Sequence, residues 1–226
     1  MEPDEIKRAW LRQSISLPIF FALLFAPAGT LNYWEAWVYG ILFTATTIGI
    51  GVYFLKHDPK AIARRIKIGP GAEQEPAQKV IMTLVLIGFV LLIVVPGFDR
   101  RWHWSSVPGW LAILANLLVV LGLLGTALVL RQNAYAASTI RVEAGQLVVS
   151  TGLYATVRHP MYSAALLIVV FTPLALGSYW TLLLVVPLIR VLAWRLLDEE
   201  RFLTRNLPGY AEYCTRTRYR LVPGVW

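Results

Sequence analysis

Apolar residues gather along this chain into six long runs, at about 14–28, 34–55, 80–95, 110–130, 160–176 and 179–197. A helix needs about 20 predominantly apolar residues to cross a bilayer, and five of the runs approach that length. The first is short, which predicts a tilted or re-entrant segment. The pattern therefore predicts an all-α integral membrane protein with about six transmembrane helices, five if the first run does not cross. The "GSYW" at 177–180 predicts a tight turn, so the last two spans run antiparallel and their far ends meet. The 131–159 connection is too long for a turn. Within it, "TIRVEAGQLVVSTG" alternates Ile140, Val142, Leu147 and Val149, which predicts a small hairpin or an extended, re-entrant cover.

Composition agrees. Hydrophobic residues make up 57% of the chain, charged residues 15%, and the mean hydropathy is +0.59, whereas a soluble domain carries about a quarter charged residues. The net charge of +8 fits basic cytoplasmic loops and anionic lipid better than nucleic acid. Residues 56–79 hold six Lys or Arg against three acids. The positive-inside rule then predicts that this loop, the N-terminus, the 131–159 connection and the C-terminal tail all lie in the cytoplasm, as expected of a multi-pass protein of a bacterial inner membrane. The opening "MEPDEIKRAWLRQ" mixes acids and bases, so no cleaved signal peptide is expected. Cys214 is the only cysteine, which leaves no disulfide within the chain and no cysteine-based metal cluster. Spans two to four carry almost no ionisable groups between their ends, which argues against a transporter. Two regions are expected: 1–109, with the basic loop, and 110–226, where polarity collects at the cytoplasmic ends of the last two spans.

The chemistry-bearing stretches are at those ends. Pro160 suits the first turn of the fifth span, and this places Arg158 and His159 beside free backbone N–H groups, a favourable anion site. The plainer alternative is an arginine on lipid phosphate and a histidine capping the helix. Near the end of the sixth span, Arg195 and Glu199 are four apart and share a helical face, with Glu200 adjacent; the alternative there is an ordinary ion pair. The tight turn brings the two clusters to one rim, which favours a site over two coincidental anchors. Tyr210 and Tyr213, three apart, predict a short amphipathic helix whose rings can face a cation or a flat ring. Tyr219 and Trp226 fit interfacial anchoring.

"GLYATVRHPMYSAALL" at 152–167 and "DEERFLTRNLPGYAEYCTRTRYRLVPGVW" at 198–226 resemble the isoprenylcysteine carboxyl methyltransferase family, whose relatives include the phospholipid N-methyltransferases. The resemblance covers about 151–226, more weakly from 110. It implies S-adenosylmethionine as methyl donor, released as S-adenosylhomocysteine and bound without a Rossmann domain; no G-x-G-x-x-G follows a strand here. By the same resemblance the motifs at 152–162 and 195–213 form a cytoplasmic cofactor pocket. They place the cofactor among Tyr154, Val157, His159, Pro160, Tyr162, Glu200, Tyr210 and Tyr213, with Arg158 beside His159, and no metal. Arg195 and Glu199 match the family's arginine–glutamate pair near the acceptor and are the expected catalytic residues. The chain has Gly152-Leu153-Tyr154-Ala155 where the family often has Gly-Pro-Tyr-Arg, so one basic group is missing. The expected partners are membrane lipid and a lipophilic substrate, with no nucleic acid and no obligate protein. An isoprenylcysteine-like carboxylate would be oriented by Arg195, a phospholipid amine would need Glu199 as base, and a thiol would need its thiolate. The residues do not choose among these acceptors.

Overall fold

The computed structural model describes residues 15–59, 69–73, 75–133, 135, 142 and 145–226. The opening residues 1–14, the basic stretch 60–68 and residues 136–141 and 143–144 of the expected hairpin lie outside these, together with the expectations attached to them.

The elements are helices: α1 (Ile15–Phe25), α2 (Trp34–His57), α3 (Pro76–Trp102), α4 (Gly109–Gln132), α5 (Leu153–Thr156), α6 (Pro160–Ala175), α7 (Leu182–Asn206) and α8 (Tyr210–Arg216), with a 3-10 turn at Pro70–Ala72 before α3. No strand occurs among the described residues, and residues 146–150 have no regular structure. The described part of the expected hairpin is thus a cover, with Val148 packed against the buried Leu207, Tyr210 and Tyr213. Helices α2, α3 and α4 are long and apolar enough to cross a membrane, whereas α1 and α6 are shorter apolar helices. The chain is a multi-pass membrane protein. Helix α7 runs to Asn206, well past the apolar run that ends near 197, because "RLLDEERFLTRN" keeps a helical face inside while its charges reach the rim.

The most extensive helix pair is α4 with α6, followed by α3 with α7. Small residues allow the first. A Cβ on Gly122 would lie 2.8 Å from the Ala164 carbonyl oxygen and 2.8 Å from Ile168 Cγ1. Close backbone approach of this kind is how helices associate where water provides no hydrophobic drive. Gly122→Ala is expected to cost about 1–3 kcal/mol by overpacking, seen as a lower unfolding temperature in detergent; an unchanged midpoint would mean that the pair yields freely.

The end of the bundle away from the motifs is pinned by polar contacts. Tyr33 Oη donates to the Leu176 carbonyl at 2.5 Å, and Asn116 Nδ2 donates to the Ala175 carbonyl at 3.2 Å. The buried Asp99 accepts from the Ser105 amide at 2.8 Å and from Ser178 Oγ at 2.5 Å. With the α6–α7 turn held this way, the start of α6 and the end of α7 are brought to one opposite rim.

Candidate active site

Gly152 opens the site. Its φ is +60°, the left-handed region that favours glycine, and a Cβ there would crowd Gln132 Oε1 at 2.7 Å, so glycine lets the chain turn into α5 beside the end of α4. Gln132 Oε1 accepts from the Leu153 amide at 2.9 Å, which starts α5. Pro160 occupies the first turn of α6, and His159 is its N-cap but makes no side-chain cap bond. Helix capping is therefore not the histidine's role. The backbone N–H groups expected to be free are taken: Arg158 N donates to the Tyr219 carbonyl at 2.8 Å and His159 N to the Arg220 carbonyl at 3.0 Å. Ser163 Oγ adds a bond to the Leu221 carbonyl at 2.6 Å. The C-terminal tail is thus strapped across the helix start, since an extended segment beside "RHP" offers carbonyls in register with those donors.

Glu200 closes a ring of cations beneath this strap. Its Oε1 lies 3.1 Å from Arg158 Nη1 and 3.1 Å from His159 Nε2, and its Oε2 accepts from Arg220 Nε at 2.8 Å. Burial alone would raise its pKa, but the hydrogen bonds from His159 and Arg220 and the neighbouring charges of His159 and Arg158 lower it to about 2. The carboxylate is then acceptor-only, so His159 Nε2 carries the hydrogen. Because the folded pKa lies below the ordinary 4.5, the stability from this ring is present above pH 4.5 and lost as pH falls towards 2. The protection of residues 219–222 against hydrogen exchange, corrected for the intrinsic rate at each pH, is expected to fall across that window; equal protection at pH 6 and pH 2.5 would refute it. Arg158 Nε is buried with no hydrogen-bond partner among the described residues, an unspent donor pointing into an otherwise satisfied ring.

The tyrosines surround the ring. Tyr210 Oη lies 3.5 Å from His159 Nε2, and Tyr213 Oη donates to the Tyr154 carbonyl at 2.7 Å. Asn133 Nδ2 donates to Tyr154 Oη at 3.0 Å, and Val157 is buried between these groups. Burial raises the pKa of both Tyr210 and Tyr213, so they present neutral phenol rings. Tyr162 bridges two clusters: its ring meets His159 edge-on at 5.7 Å, and its Oη donates to Glu199 Oε2 at 2.7 Å.

Arg195 interacts with the expected Glu199, with Tyr162 hydrogen-bonded to both, and it has further partners. Its Nη2 donates to Glu73 Oε1 at 2.8 Å and its Nη1 to Gln78 Oε1 at 2.8 Å. Gln78 Nε2 in turn donates to Asp198 Oδ2. Sequence reasoning assigned no site role to Glu73, Gln78, Asp198 or Arg220. Nothing in "PGAEQEPAQK" separates Glu73 from Glu75, although one is buried and the other exposed; only the folding of the Pro70–Ala72 turn against α3, which brings Glu73 to Arg195, does so. A groove of about 340 Å³ opens beside Glu200 and Arg220, lined also by Leu197, Arg201, Thr204 and Arg205, so the ring borders a basic surface.

Part of this rim, Tyr154 to Tyr162 and Arg195 to Glu200, falls within a match to a known sequence family. Residues 110–208 match the model of the family described as phospholipid methyltransferase. A curated relative, the cobalt-zinc-cadmium resistance protein CzcN of Cupriavidus metallidurans, is 32% identical over 139 residues, 59% of this chain and 58% of the relative. The match thus spans less than two thirds of that relative's length.

Proposed function

From residues 110–208, which belong to the phospholipid methyltransferase family, we propose that this membrane protein transfers a methyl group from S-adenosylmethionine to a lipophilic acceptor. The observation that carries the reading is the ring of Arg158, His159, Glu200 and Arg220, which has one buried guanidinium N–H left over. An amino-acid carboxylate suits that donor. The neutral rings of Tyr210 and Tyr213, with centroids 5.8 Å apart, suit a sulfonium or a flat base. Tyr154, Val157, Pro160 and Tyr162 complete the proposed cofactor wall, and Arg195 and Glu199 stand on the acceptor side. We place the rim and both chain ends in the cytoplasm; the six Lys or Arg of the loop 56–79 support this orientation.

Bound, S-adenosylmethionine supplies a methyl group already activated on sulfur. The protein's task is then alignment and exclusion of water. Val157, Tyr210 and Tyr213 bury the donor side, and the Tyr162–Glu199 hydrogen bond fixes a carboxylate towards the acceptor side. A carboxylate acceptor would need the fork of Arg195. A second reading, an amine acceptor, is favoured by one observation: Arg195 already pairs with Glu73, and Asp198 and Glu199 add negative charge. Glu199 would then take the proton that an amine must lose.

Full-length protein purified in detergent should bind S-adenosylmethionine and move labelled methyl into a lipid extract, where the labelled product identifies the acceptor. Failure of both would end the transferase reading.

A further inference from the structure

Glu73 and Gln78 lie outside residues 110–208, yet Glu73 is only 5% exposed and Gln78 1%. Glu73 comes from just before α3 and Gln78 from its first turn, and they reach Arg195 on α7 more than a hundred residues later. Their arrangement has one polarity. The Gln78 amide accepts from a guanidinium and donates to a carboxylate, so its oxygen must face Arg195 and its nitrogen Asp198. That fixes Arg195 Nη1. Nη2 meets Glu73 at 2.8 Å, the contact that an incoming carboxylate would otherwise make.

We infer that Glu73 determines acceptor specificity: it is an internal carboxylate seated on Arg195 that turns away anionic acceptors and admits neutral or cationic ones. Being tethered by the Pro70–Ala72 turn, it competes at an effective concentration that a diffusing carboxylate does not match. A carboxylate that displaced it would leave Glu73 buried without its cation, beside Asp198 and Glu199. An uncharged or positively charged nucleophile faces neither penalty. The inference rests on the reading of this rim as a methyl-acceptor site. The competing explanation is a packing tie between the start of α3 and α7, which would not depend on the charge of a ligand.

The test compares dodecanoate with dodecanamide, equal in chain length, binding to the full-length protein at one detergent concentration. The native protein should bind the amide at least tenfold more tightly. Glu73→Gln should raise dodecanoate affinity at least tenfold, and Glu73→Gln with Arg195→Gln should abolish that gain. Glu75→Gln, at an exposed neighbour, should change neither. Equal binding of the two probes by native protein, or no gain in Glu73→Gln, overturns the inference. If Glu73→Gln does not fold, the native comparison decides alone. A parallel titration with S-adenosylmethionine separates the failures: cofactor binding without probe discrimination sinks only the role of Glu73, whereas no cofactor binding sinks the transferase reading and this inference with it.

Discussion

Replacing Glu200 with alanine is expected to weaken S-adenosylmethionine binding at least tenfold and to release the C-terminal strap. The carboxylate is the common counter-charge for Arg158, His159 and Arg220, so its loss leaves cations crowded without compensation. Breaking a buried pair from one side costs about 3–5 kcal/mol. The lower end applies here, because the Arg220 side chain is 30% exposed and water screens it. His159→Ala should give a different signature. It removes a wall of the cofactor site but keeps Glu200 on Arg158 and Arg220, so affinity should fall tenfold or more with a smaller loss of thermal stability. Titration with the cofactor and unfolding midpoints, measured on both variants, check the pair. Unchanged cofactor affinity in both would refute the placement of the cofactor.

Arg195→Ala is expected to abolish methyl transfer while largely sparing cofactor affinity, since Arg195 meets Glu73, Gln78 and the hydroxyl of Tyr162 and no member of the Glu200 ring. It should also destabilise the fold. Glu73 Oε1 and Gln78 Oε1 lose their donor in an interior where they are almost fully covered, and a stranded buried carboxylate costs about 3–5 kcal/mol. Pairing Arg195→Ala with Glu73→Gln removes that stranded charge, so the double variant should regain most of the stability and none of the activity. Loss of cofactor binding in Arg195→Ala would move this arginine into the cofactor's own shell.

Helices wrote themselves plainly into the sequence because apolar runs of spanning length have few alternatives, and the ends of α2 and α4 fall within a few residues of those runs. The meeting of "RHPMY" with "RLLDEE" was legible too, because a tight turn between antiparallel helices dictates it. Arg158, His159, Glu200 and Tyr210 accordingly stand together, with Tyr162 on Glu199. What was hidden depends on long-range packing. Arg195 and Glu199 share a helical face and do interact, but burial of Glu73 gives the arginine an additional partner that no local pattern can show. The free N–H groups at the start of α6 were misjudged for the same reason: the carbonyls of Tyr219 and Arg220 come from sixty residues away. The hairpin expectation rested on alternation alone; of its residues only 142 and 145–152 are described, and there Val148 packs against tyrosine rings.

The strap over α6 also orders events in time. Every membrane segment, and Arg158, His159 and Glu200 with them, is synthesised before Tyr219 and Arg220, and domains of a nascent chain form in that order. The bundle can therefore insert and pack while the start of α6 still exposes the backbone donors of Arg158 and His159 and Glu200 lacks its third cation. Assembly of the rim is a separate, final event that waits for residue 220 to emerge. A released chain that stops before Tyr219 is therefore expected to insert and pack its membrane helices while its rim stays unassembled.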